Sequence, residues 1–209
     1  MRTPMKNDVT RRFAVSSLAL GAGLAVMGAS LPLPAQAMTQ ARAKTLVDAL
    51  VADINAVIAS GKSEQAMYVE FERIFKRYAD VPTIARYALG VDSRRATPAQ
   101  MGAFTTVFQR YISVKYGRRF REFIGGQIEV QEARAVNNFY EVKSVAILRG
   151  QAPFEVTFLV SDRSGKDLFF NLFIEGINML LTERTEIGAM LDRRGGDIDA
   201  MITDLRAAT

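Results

Sequence analysis

Apolar residues follow three successive rhythms along the chain. From about residue 40 to 123 they recur every three or four positions, from 127 to 174 mostly every second position, and thereafter at helical spacing again. Residues 40–60 carry Leu46, Leu50, Ile54 and Val57 on one face, and Gly61 ends the run. A second helix is predicted over 64–78, with Met67, Phe71, Ile74 and Phe75 on its apolar face. A short third one follows over 81–89, with Pro82 near its start, and residues 90–96 form a polar connection. Thr97 then supplies an N-cap, Pro98 the first helical position and Gln100 the far side of a capping box. The helix they open carries Met101, Phe104, Phe108, Tyr111, Lys115/Tyr116, Phe120 and Phe123 at three- to four-residue intervals, and Gly125-Gly126 stops it.

The two-residue rhythm predicts strands at 127–133, 139–148, 154–161 and 167–174. The links between them are short and hold turn residues: Asn137-Asn138, Gly150 with Pro153, and Ser164-Gly165. Consecutive strands with short links imply an antiparallel meander. Two more helices are predicted at 182–192 and 198–205. Helices, then strands, then helices give an α+β fold: a twisted antiparallel sheet of about four strands packed against several helices.

The first 37 residues follow a different plan. Residues 1–12 are polar and basic, residues 13–33 are uncharged and rich in Ala, Leu, Gly and Val, and Pro32 and Pro34 break that run. Ala35-Gln36-Ala37 then places small residues where a leader peptidase needs them. The segment reads as a secretory signal peptide cleaved after Ala37, leaving 38–209 as one domain. Thr10-Arg11-Arg12-Phe13-Ala14-Val15 is similar to a twin-arginine signal, with the aromatic one position early.

Composition narrows the chemistry. The net charge of +5 owes much to this leader, which holds Arg2, Lys6, Arg11 and Arg12 against Asp8 alone. The remainder is near balance, too weak a field to argue for nucleic acid. The chain has no Cys and no His, so disulfides, thiolate metal sites and the commonest general base are excluded. No nucleophile elbow, P-loop or zinc signature occurs. Carboxylates such as Glu129, Glu132, Glu155, Glu175, Asp197, Asp199 and Asp204 fall on alternating strand or helix faces, where a solvated surface is the plain reading. Catalytic residues, metal ligands and cofactors are all assigned as none.

The apolar surplus is more informative. Phe154, Val156, Phe158 and Val160 alternate on one strand. The next strand is apolar on both faces, with Leu168, Phe170, Leu172 and Ile174 on one and Phe169 and Phe173 on the other. Facing an aromatic helix stripe, such a sheet either closes into a solid core or stands off and lines a cavity, and periodicity leaves both open. Lys115, Arg118, Arg119 and Arg121, interleaved with Tyr116 and Phe120, are either the rim of such a pocket or an ordinary solvated face.

Several ordered segments carry a family resemblance. Arg77-Tyr78-Ala79-Asp80-Val81, Ala85-Arg86-Tyr87-Ala88-Leu89-Gly90, Ala96-Thr97-Pro98-Ala99-Gln100 with Phe104, Phe108, Tyr111 and Lys115-Tyr116-Gly117, and Ile174-Glu175-Gly176-Ile177-Asn178-Met179 with Thr182-Glu183-Arg184 together resemble the MlaC (toluene-tolerance) family. Two departures stand out. Asn178 occupies a position where the family usually has Ser, and Leu168-Phe169-Phe170-Asn171 replaces a Trp or a Tyr-Asp pair.

The resemblance implies a periplasmic phospholipid carrier with an apolar cavity, working between an outer-membrane lipoprotein complex and an inner-membrane ABC transporter, without catalysis or cofactor. It implies a pocket lined by Phe104, Phe108, Tyr111, Tyr116 and Phe120 of the long helix and by Phe158, Phe170, Phe173 and Ile174 of the strands. Lys115, Arg118, Arg119 and Arg121 would form a basic rim toward headgroups or partners. The alternatives are a binding protein for another apolar ligand, such as an isoprenoid or steroid, and a non-catalytic structural or chaperone-like domain.

Overall fold

The computed structural model describes residues 37–119 and 124–209. Residues 1–36 of the predicted leader, Phe120, Arg121 and Phe123 lie outside the described residues, as does the side chain of Arg119. Six α-helices and five strands are described: α1 (Gln40–Ala59), α2 (Glu64–Tyr78), α3 (Val81–Leu89), α4 (Pro98–Arg119), β1 (Gln127–Val136), β2 (Phe139–Ile147), β3 (Phe154–Ser161), β4 (Leu168–Ile174), β5 (Ile177–Asn178), α5 (Met179–Arg193) and α6 (Ile198–Ala207). A 3-10 turn, Gly90–Arg94, replaces most of the expected polar connection after α3.

Side-chain caps set the helix starts. Thr39, Ser63, Asp80, Asn178 and Asp197 each accept a backbone N–H from the first turn of α1, α2, α3, α5 and α6. At α4 the capping box closes both ways. The Thr97 N–H donates to Gln100 Oε1 at 3.0 Å and the Gln100 N–H to Thr97 Oγ1 at 3.1 Å.

The strands form one antiparallel meander in the order β1-β2-β3-β4-β5. The sheet therefore has one strand more than expected, because the chain turns back at Glu175 and Gly176 for a two-residue pairing. Both turn residues have positive φ, 50° and 79°, as a tight hairpin requires. The Asn137 turn between β1 and β2 likewise has φ 50°, a conformation asparagine tolerates.

Helix α1 lies directly on β1, β2 and β3, whereas α3 and α5 pack on β4. Asn55 fastens α1 to the sheet edge: its amide nitrogen donates to the Ile128 carbonyl and its oxygen accepts the Ile128 N–H, both at 3.1 Å. Met38 anchors the start of the domain. Its side chain is buried, its N–H donates to Asp162 Oδ2 at 2.8 Å, and its carbonyl accepts from the Tyr140 hydroxyl at 2.8 Å. The joint between α2 and α3 is tied to β4 by the Asp80 N–H donating to the Phe169 carbonyl at 2.8 Å.

Helix α4 stands apart from this arrangement. It packs chiefly on α2, α3 and α6 rather than on the sheet. Its approach to α2 depends on Gly117, where a Cβ would come within 2.6 Å of the Tyr68 ring. The long helix is therefore held by other helices and spans the inner face of β3 and β4 without resting on it.

Candidate functional site

Between α4 and the β3–β4 half of the sheet lies a pocket of about 190 Å³. Leu50 and Ile54 of α1, Phe71, Ile74 and Phe75 of α2, and Ile84 of α3 form one wall. Phe108, Ile112, Ser113 and Tyr116 of α4 form a second. The sheet contributes Ile128, Phe154, Val156, Phe158, Phe169, Phe170, Asn171, Leu172 and Ile174, and α5 adds Met179, Leu180 and Glu183. The walls are almost wholly apolar, which suits a ligand with little to hydrogen-bond.

A bulge shapes the sheet wall. Phe158 pairs with Leu172 and Leu159 with Asn171, but Val160 pairs with Phe169, so Phe170 has no partner on β3. The extra residue brings Phe169 onto the face that Leu172 and Ile174 share. There it is 5 % exposed, with its ring 5.8 Å from Phe158 and 6.1 Å from Phe75. Strict alternation had placed Phe169 on the opposite face. No residue type in β4 announces the bulge.

The expected pocket residues divide accordingly. Phe108, Tyr116, Phe158, Phe170 and Ile174 line the pocket. Phe104, Tyr111 and Phe173 do not. Phe104 is wholly buried against Phe108, with rings 5.4 Å apart. Phe173 sits opposite Thr157, on the β4 face turned away from Leu172 and Ile174. Tyr111 turns its hydroxyl to Glu186, 3.1 Å away. The contributions of α1 and α2 were visible as helix stripes in the sequence, but nothing there marked them as walls of a pocket.

The expected basic rim is also different in kind. Arg118 is exposed, whereas Lys115 is engaged by two carboxylates of α5. Its Nζ lies 2.7 Å from Glu183 Oε1 and 2.5 Å from Glu186 Oε2. The Tyr116 hydroxyl also donates to Glu183 Oε1. These long side chains bridge α4 and α5 beside the pocket. Burial works against the Lys115 charge, but the hydrogen bonds to Glu183 and Glu186 outweigh it and hold its pKa above the ordinary lysine value. For the Tyr111 hydroxyl, by contrast, burial is the main cause that raises the pKa above its ordinary value.

The β4–α5 corner explains one departure from the family pattern. Asn178 Oδ1 accepts the Leu181 N–H at 3.1 Å, capping α5, which is work a serine hydroxyl also does. Asn171 completes the corner, its Oδ1 accepting the N–H groups of Leu172 and Leu180.

A family model described as MlaC protein matches residues 44–207, from the first turns of α1 to the end of α6. The chain belongs to the MlaC family. It is 28 % identical over 156 residues to the toluene tolerance protein ttg2D of Pseudomonas putida, covering 73 % of each chain. Its fold matches that of a phospholipid-binding protein from Ralstonia solanacearum, solved in complex with a phospholipid. The TM-score is 0.69 at 18 % identity, over 79 % of this chain and 96 % of that one. Among the described residues of this MlaC-family chain, no helix is long and apolar enough to cross a membrane.

Proposed function

We propose that this protein carries phospholipid, holding acyl tails between α4 and the β3–β4 wall while the headgroup stays at the rim. The observation that carries the reading is the apolar pocket at that place in an MlaC-family fold. The relative solved with a phospholipid supports it. The physics is compatible: each methylene withdrawn from water contributes about 0.8 kcal/mol, so a carrier needs a wall about as apolar as a bilayer.

At about 190 Å³ the pocket is smaller than the roughly 300–1,000 Å³ of ordinary ligand pockets. Loading two tails therefore requires α4 and the sheet to part further. That movement leaves the strand pairings intact, because α4 is seated on helices rather than on strands.

The reading extends to the cell. Residues 1–37 act as a leader, with the small residues Ala35 and Ala37 placed for the leader peptidase, and the domain from Met38 onward works in the periplasm. It passes lipid between an outer-membrane lipoprotein complex and an inner-membrane ABC transporter, and performs no chemical step on it. The pocket volume alone favours a second reading, a smaller apolar ligand such as an isoprenoid.

Solvent extraction of the protein purified from its own periplasm, followed by mass spectrometry, separates these. Phospholipid is the expected extract. A different lipid would establish the second reading, and an empty extract from freshly isolated protein would sink both.

A further inference from the structure

We propose that the face made by the end of α3 and the start of α5 docks a protein partner that presents a carboxylate flanked by apolar side chains. The inference rests on the carrier reading above and names where a protein that loads or unloads the pocket meets it.

Six large apolar side chains are exposed among the described residues, and four of them lie here. Tyr87 and Val91 are 39 % and 65 % exposed at the end of α3 and in the turn after it, and Ile177 and Leu181 are 60 % and 50 % exposed at the start of α5. Arg184 joins the two groups. It follows Leu181 by three residues on α5, so both share one side of that helix. Its guanidinium carbon stands 5.2 Å from the centre of the Tyr87 ring, and its Nε would lie 3.3 Å from a Cβ on Gly90. Tyr87, Gly90, Val91, Arg94 and Arg184 line a hollow of about 150 Å³. The face also borders the apolar pocket, because Ile177 pairs with Ile174, and Ile174, Met179 and Leu180 line that pocket.

The cation specifies the partner. Among the described residues, the other half-buried arginines are each paired with a carboxylate, Arg42 with Asp167 and Arg110 with Glu72. Arg184 is half-buried too, yet no carboxylate or other acceptor among the described residues bonds its guanidinium. Arg94 is equally unpaired, and Asp92 beside it is engaged by Arg95. Stacking on Tyr87 holds the Arg184 fork in place with its donors free, so little side-chain freedom is lost when an acceptor arrives. A planar fork of this kind matches a carboxylate. A small anion alone gains nothing from Val91 or Leu181, whereas tyrosine and arginine ringed by exposed apolar groups have the composition of a protein interface centre.

The test takes the protein purified from the periplasm with its lipid. Its binding is measured to the inner-membrane ABC transporter complex and the outer-membrane lipoprotein complex of the same organism, each immobilised, and to vesicles of anionic phospholipid. The unaltered protein is expected to bind at least one complex, less tightly as salt is raised. Arg184→Glu should lower that affinity by roughly tenfold or more, and Val91→Asp and Arg94→Glu by several-fold, all with unchanged co-purified lipid. Arg163→Glu makes the same charge change on the exposed turn at the opposite end of β4 and should leave binding as it was. Full affinity in Val91→Asp and Arg94→Glu would overturn the proposal and leave the carrier reading standing. Both positions are exposed, so they decide even if Arg184→Glu does not fold. An equal loss in Arg163→Glu, or a loss of vesicle binding alone, would also overturn it, the latter by making the face a lipid contact. Unaltered protein that holds phospholipid but binds neither complex would overturn this docking surface while lipid carriage stands. Protein without lipid would instead overturn the carrier reading.

Discussion

The two halves of the sheet close in opposite ways. Under α1, the inward residues of β2 are small: Val142, Ser144 and Ala146 are each 0 % exposed, and helix and strands meet without a pocket among those residues. Across β3 and β4 the inward residues are large, including Phe158, Phe169 and Leu172, yet this is where the pocket lies. Bulk on a sheet face therefore does not decide whether a core fills. The support of the opposing helix does. Helix α1 is pinned to the strands through Asn55 and Ile128, whereas α4 is suspended on α2, α3 and α6.

The contrast can be broken most severely at the closed half. Val142→Asp places a charge in a site with no room for water, and the expected outcome is loss of about 4 kcal/mol or more, seen as an unfolded circular dichroism spectrum. A Val142→Asp variant that melts normally would show that the closed half is not solid. Ala146→Leu overfills the same face and should cost about 1–3 kcal/mol, read from the urea midpoint. On the open half, an increase of similar size has the opposite sign. Ile112→Phe extends a pocket-lining side chain into free space, so the midpoint should hold or rise while co-purified lipid falls.

A smaller effect comes from the α4–α5 bridge. Because the folded state raises Lys115 above its ordinary 10.5, it binds its proton more tightly than the unfolded chain does. The associated stability is complete at neutral pH and is lost as pH rises past 10.5 through the folded value. Tyr111, also raised, acts in the same direction, from its ordinary 10.0 upward. Melting curves between pH 8 and 11.5 should therefore decline at the alkaline end, less steeply for Lys115→Met. Smallest of all is Asn178→Ser, two cap residues of nearly equal worth, with a change within about 0.5 kcal/mol in the same urea titration.

Much of the architecture was legible because it is encoded locally. Ser63, Asp80 and Thr97 with Gln100 mark helix starts by hydrogen bonds that span three residues, and Asn137 marks a turn by its own backbone preference. The site was legible only where it follows the same local rules, as at Phe108, Phe158 and Ile174. Phe169 was misplaced because a bulge adds one residue to the count on β4, and no side chain there signals it. Lys115 read as an available cation because its partners Glu183 and Glu186 lie 68 and 71 residues away. Phe104 and Tyr111 share the α4 stripe with Phe108, but sequence periodicity does not say which member of a stripe meets a helix and which meets open space.

The Met38 contact gives the proposed cleavage after Ala37 a structural consequence. In the unprocessed polypeptide the group facing Asp162 is a neutral amide, 2.8 Å from the carboxylate. Hydrolysis after Ala37 would turn that same nitrogen into an ammonium, and the contact into a charge-assisted clasp between the new first residue and the end of β3. Removal of a leader at that bond would then do more than release the protein from the export machinery: it would draw the domain's loose end shut.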